Sequence, residues 1–148
     1  MATVFIENES TVTLHDTGID IVVVSEPGLM GPRAELPWEL SLPVDGSAYA
    51  NERLLRYDAP DIITFNIPEC YASCDYPATS NSAFRLLVSN SSVTNSTIGT
   101  ITFTPGNRVA NVSITAVSIN KRDILNVYAP VSQDPTLADI TITLKGER

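Results

Sequence analysis

Over most of its length the chain alternates apolar and polar residues with period two, and many of the alternating residues are Val, Ile and Thr. That period puts one set of side chains on each face of an extended strand, and β-branched residues fit a pleated surface, so the pattern disfavours helices and predicts an all-β fold. The last strand, expected at 139–145, shows it most plainly, with Ile140, Ile142 and Leu144 inward and Thr141, Thr143 and Lys145 outward. Residues 97–104 and 109–116 form the clearest pair, joined through Pro105, Gly106, Asn107 and Arg108, a hairpin connection by its turn residues. In that pair Ile101 and Phe103, with Ala110, Val112 and Ile114 opposite, are expected on the core side.

Further strands are expected at 53–57, 62–67, 84–89 and 124–129, with an irregular loop over 68–81 and one 3₁₀ or α turn over 134–138, where Pro135 suits a first helical position. About seven strands from residue 53 onward make an antiparallel β-sandwich, Ig-like or jelly-roll-like. Short strands at 3–6, 11–14 and 19–24 precede it. Between them and the sandwich, residues 25–50 carry four prolines and three glycines, a composition that interrupts central strands and favours extended backbone. The expected organisation is therefore an extended N-terminal β arm and linker over 1–50 and a sandwich over 51–148.

Seventeen acidic residues against nine basic ones give a net charge of −8, which repels phosphate and offers no basic stripe, so nucleic-acid binding is not expected. The longest apolar run, 19–24, is interrupted by Asp20 and is far short of the roughly 20 residues that span a bilayer. Membrane insertion is not expected. The opening MATVFIENES has neither the basic start nor the apolar run of a secretory signal, which predicts synthesis in a cytoplasm. The four Asn-x-Ser/Thr sequons at Asn8, Asn90, Asn95 and Asn111 are what a Ser/Thr/Asn-rich chain produces by chance.

Few residues point to chemistry. The single His15 stands beside Asp16, but there is no G-x-S-x-G elbow to complete a triad, and the pair reads as a polar turn. Asp58 with Asp61, and Asp134 with Asp139, have no calcium-loop spacing and read as solvated turn residues. Neither an enzyme nor a cofactor is expected. Cys70 and Cys74 are too few for zinc with one distant histidine; a close disulfide and a pair of buried thiols remain the alternatives. Trp38 and Leu40 in the irregular segment fit either an anchor against another subunit or packing on the chain's own sandwich. The N-terminal strands, with Phe5, Ile21 and Val23, and Leu29 beyond them, pose the same choice, and edge pairing to a partner sheet is the expectation.

The stretches 98–103, with its Gly-Thr-Ile-Thr-Phe strand, 123–130 and 134–146 together resemble a β-sandwich unit of tailed-bacteriophage tail-fibre and baseplate-associated proteins, over roughly residues 53–148. The segment IDIVVVSEPGLMGPRAELP is similar to fibre N-termini, although it lacks a G-X-Y period. The resemblance implies a non-enzymatic structural protein of the virion, assembled in the host cytoplasm. It also implies self-association, expected as a homotrimer, contact with other virion proteins, and adhesion to a host-surface glycan or protein. On this reading the exposed loops carrying Tyr71, Tyr76, Asn90 and Asn95 make the surface contact. A capsid decoration protein that clamps neighbouring capsomers is the alternative, and the resemblance supplies no catalytic residue.

Overall fold

The computed structural model describes residues 35–148 and the strand backbones β1 (Thr3–Asn8), β2 (Thr11–His15) and β3 (Ile21–Ser25). The chain divides into two compact units, Met1–Ala34 and Glu35–Arg148. In the first, β1, β2 and β3 pair antiparallel in that order. Their register sets Val4, Leu14 and Val22 in one cross-strand row and Ile6, Val12 and Val24 in another.

The second unit is an antiparallel β-sandwich. Its strands are β4 (Pro37–Val44), β5 (Arg53–Asp58), β6 (Ile63–Phe65), β7 (Tyr71–Tyr76), β8 (Ser82–Ser89), β9 (Ser96–Phe103), β10 (Asn111–Ile114), β11 (Ser118–Ile119), β12 (Ile124–Tyr128) and β13 (Ala138–Glu147). One sheet runs β10-β9-β8-β12-β5. The other is built on β13, which pairs with β4 along one side and with β7 and then β6 along the other, β11 lying beyond β6. A 3₁₀ turn, Ile67–Glu69, carries the chain from β6 to β7.

Alternation fixes the core. Phe84 and Leu86 of β8, Ile101 and Phe103 of β9, and Leu125 and Val127 of β12 face Ile63, Ala72, Ile140, Ile142 and Leu144 from the other sheet, all at 0 or 1% exposure. Phe84 meets Phe103 edge to face at 6.0 Å between ring centroids, one of the two preferred aromatic geometries. The inward set expected for β13 is the set observed. Thr143, expected on the solvent side, is only 1% exposed, flanked in register by Ser41 and Tyr71.

The two sheets are joined along one side by residues 108–119. Cys74 N–H donates to the Arg108 carbonyl and Ala110 N–H to the Ala72 carbonyl, which ties this segment to β7; it then pairs with β9 as β10 and with β6 as β11. The opposite side is bounded by β4 and β5, where the Trp38 indole N–H donates to the Tyr57 hydroxyl at 3.1 Å.

Residues 37–44 correct the expected linker: they form β4, in register with β13 without a bulge. Leu36 and Arg148 exchange both backbone hydrogen bonds, so by the alternation of an antiparallel ladder Trp38, Leu40, Leu42 and Val44 also aim their backbone polar groups at β13. Pro37 and Pro43 fall on the outward positions, where a missing N–H removes no bond of the sheet. The boundary between the compact units accordingly lies at Ala34 and Glu35, upstream of the expected residue 50. Residues 71–76 likewise form a strand where an irregular loop was expected, held by pairing with β13.

Candidate functional site

Trp38 is 6% exposed and packs against Tyr57 and Phe65 at 5.8 and 5.9 Å between ring centroids. Of the two alternatives for Trp38, packing on the chain's own sandwich is the one observed, and the anchor against another subunit is corrected. Leu40, two residues along the same face of β4, is half-buried against the same core. Phe5, Ile21 and Val23 lie in strands whose side chains are outside the described residues, and so does Leu29 altogether.

Cys70 and Cys74 are buried free thiols, the second of the two alternatives, and not a disulfide. Cys70, Ala72 and Cys74 are successive inward positions at and within β7. Two such steps along a strand span about 13 Å, far beyond the roughly 7 Å between Cα atoms that a disulfide tolerates. The Cys70 Sγ accepts from Lys145 N–H at 3.3 Å, and burial pushes both thiols above their ordinary range. Neither cysteine should react with a thiol reagent in the native protein at neutral pH, and both should titrate once it is unfolded. Rapid modification of one cysteine before unfolding would show that β7 opens.

Of the residues expected at the contact surface, Tyr71 and Tyr76 are 48% and 59% exposed and stand at the two ends of β7. Asn90 and Asn95 are exposed in the β8–β9 connection. Their side chains shape that loop: Asn90 Oδ1 accepts from Ser92 and Val93 N–H, and Asn95, at φ 55°, exchanges hydrogen bonds with the Ser89 hydroxyl. The loop that follows Tyr76 opens β8 and the asparagine loop closes it. Eight residues of strand separate those loops by about 25 Å, so the four residues do not form a single patch.

A second group of residues does converge, on the outer face of the sheet that contains β8. Thr100, Arg85 and Tyr128 are neighbours in register across β9, β8 and β12. The Arg85 guanidinium lies 5.7 Å from the Tyr128 ring centroid and donates through Nη2 to Asn51 Oδ1 at 2.8 Å. Asn51 adopts φ 58°, and its N–H donates to the Pro130 carbonyl, which fixes this turn to the chain leaving β12. Arg85 has no carboxylate partner among the described residues, and its Nε–H is buried without an acceptor. Beside it lies a cleft of about 370 Å³ walled by Asn81, Ala83, Thr100, Pro130, Val131 and Ser132. Asn126 Oδ1, one pleat from Tyr128 on β12, is also buried without a donor.

A different cleft, of about 330 Å³, opens where β4 meets the end of β13. Lys145 lies there 3.8 Å from Glu39 and 4.0 Å from Glu69. Glu147 is held above the usual carboxylate range by a hydrogen bond with the Glu35 carboxyl and by that group's charge. The lysine is thus already neutralised by its own chain. No group of three or more potential metal ligands gathers among the described residues.

Asp134 corrects the expectation of a solvated turn. It is 6% exposed, and its carboxylate accepts from the backbone N–H and hydroxyl of Thr79, Ser80 and Thr136. Those bonds, the Thr136 hydroxyl first among them, hold its carboxyl well below the ordinary carboxylate range. The turn expected at this place is present, closed by Leu137 N–H on the Asp134 carbonyl. Sequence reading missed Arg85 and Asp134 as site residues because their partners lie on other strands and loops. Comparison of the chain with protein families, with curated proteins and with solved structures returns no match.

Proposed function

We propose that this chain is a non-enzymatic structural protein of a tailed-phage particle, in which the N-terminal sheet docks and the sandwich is displayed for adhesion to the host surface. The observation that carries the docking role is the separate unit Met1–Ala34, which holds a three-stranded antiparallel sheet of its own. A three-stranded sheet has two edge strands, here β1 and β3, whose free backbone groups can pair with a partner sheet. A second copy of the chain supplies one, which favours a homo-oligomer built through this unit. The likeness of 98–103, 123–130 and 134–146 to tail-fibre sandwich units supports the particle assignment.

Light scattering on the purified full-length chain tests the arrangement. The expected mass is three times the 16.0 kDa of one chain, falling to a single chain in a version beginning at Glu35. A monomeric full-length chain would remove the support for a trimeric fibre component, and binding to emptied capsids would then test the decoration role.

A further inference from the structure

We propose that the cleft beside Arg85 is a binding site for a carboxylate-bearing sugar, an inference that rests on the adhesion reading and names the class of its ligand. The argument begins with charge. In a protein of net charge −8, Arg85 is a partly buried cation with no carboxylate partner among the described residues. A guanidinium in that position is stabilised when an anion meets it, and its planar fork matches the geometry of a carboxylate.

The group is also oriented in advance. Asn51 holds Nη2, Tyr128 carries the guanidinium on its ring, and the Asn51 N–H bond to Pro130 fixes the anchor to the wall of the cleft. An arginine held this way loses little side-chain freedom on binding. Nη1, with no hydrogen bond among the described residues, is the part left for a ligand, while Nε, enclosed by the protein, finds no acceptor in the chain.

The rest of the cleft narrows the ligand. Thr100 and Ser132 offer hydroxyls and Asn81 an amide, while Ala83, Pro130 and Val131 give apolar surface, and Val131 is 61% exposed. Hydroxyls and an amide suit the ring hydroxyls of a sugar, and the apolar wall suits its C–H face. The volume lies at the small end of the range for ligand sites and fits one or two sugar rings better than a long peptide segment.

The experiment is a titration of the full-length ¹⁵N-labelled protein with sodium glucuronate, following the Arg85 Nε–Hε resonance, with glucose, acetate and a tetraglutamate peptide as separate probes. Glucuronate is expected to shift that resonance saturably below roughly 50 mM, acetate at least about 10-fold more weakly, and glucose not at all. Arg85→Lys keeps the charge and removes the fork, so, read from the backbone amide resonances of Thr100 and Val131 in the cleft wall, it should weaken glucuronate at least about 10-fold while resonances away from the cleft keep their positions. Equal responses to glucuronate and glucose, or none to either, would overturn the carboxylate site. Acetate binding as well as glucuronate would overturn the sugar, and tetraglutamate binding more tightly would make the occupant a protein. Because no cells or particles are present, this result is separable from failure of the adhesion reading, which host-cell binding by the wild-type chain decides.

Discussion

Asp134→Ala should lower the unfolding free energy by about 3 kcal/mol and the melting temperature by about 10 °C, the largest effect expected from a single polar substitution in this chain. One carboxylate holds two segments that are 54 and 55 residues apart, through Ser80 and Thr79, and closes its own turn through Thr136. Its removal leaves the N–H groups of Thr79 and Ser80 without their acceptor beside a buried site. Hydrogen bonds to an ionised group are worth about 1.5–3 kcal/mol each before water replaces part of the loss, which sets the estimate. Asp134→Asn retains the shape and one acceptor oxygen, and should cost about half as much.

The same site makes a pH prediction with a definite sign. The folded carboxyl titrates below its unfolded value, so its contribution is complete above the unfolded pKa of about 4 and is lost as the pH falls from there through the folded value. The gap in stability between wild type and Asp134→Asn should therefore be widest at neutral pH and narrow below about pH 4, by up to about 1.4 kcal/mol per pH unit. Denaturant melts at a series of pH values measure it. A gap that stays constant down to the lowest usable pH would mean that the carboxylate is not held in its charged form by these donors.

Asp134 also marks where the sequence stops being informative. Its role depends on Thr79 and Ser80, and no spacing within the chain brings them together; only the closed sandwich does. Strands β8, β9, β12 and β13 were legible because each buries one face, so the local alternation repeats the tertiary requirement. β4 was hidden by its prolines, which look like breakers until the register shows them on the free side of an edge strand. β7 was hidden by Cys, Ala, Ser and Asp, residues of modest strand preference, which are extended because β13 supplies a ladder for them. The inward positions of β7 also explain the cysteines: a four-residue spacing that permits a disulfide in a loop forbids one along a strand. Arg85 falls within the strand expected at 84–89, yet its environment comes from Asn51 and Tyr128, on parts of the chain that only folding makes its neighbours.

Gly146→Ala should cost about 3 kcal/mol, at the upper end for overpacking, although alanine is ordinarily no worse than glycine in a strand. Gly146 pairs with Trp38 on one side and Phe65 on the other, and a Cβ built on it would fall on the Thr64 carbonyl oxygen, with the Thr64 carbonyl carbon at 3.1 Å and the Phe65 Cα at 3.3 Å. All three obstacles are backbone, so no side chain can swing aside, and β6 itself must move. That strand carries Ile63 and Phe65 into the core, and Phe65 packs against Trp38, whose indole closes the β4–β5 side of the sandwich. One methyl group thus presses, through β6, on the core and on the link between the two sheet edges. Gly106→Ala separates this steric cause from the general loss of a glycine. Gly106 has open space around it but sits at φ 76°, so its cost should be the left-handed conformation alone, about 1 kcal/mol. Thermal melts of the two variants should show Gly146→Ala falling about three times as far as Gly106→Ala. If Gly146→Ala instead melts with the wild type, β6 is free to shift, and the close approach of β6 to β13 does not constrain the fold.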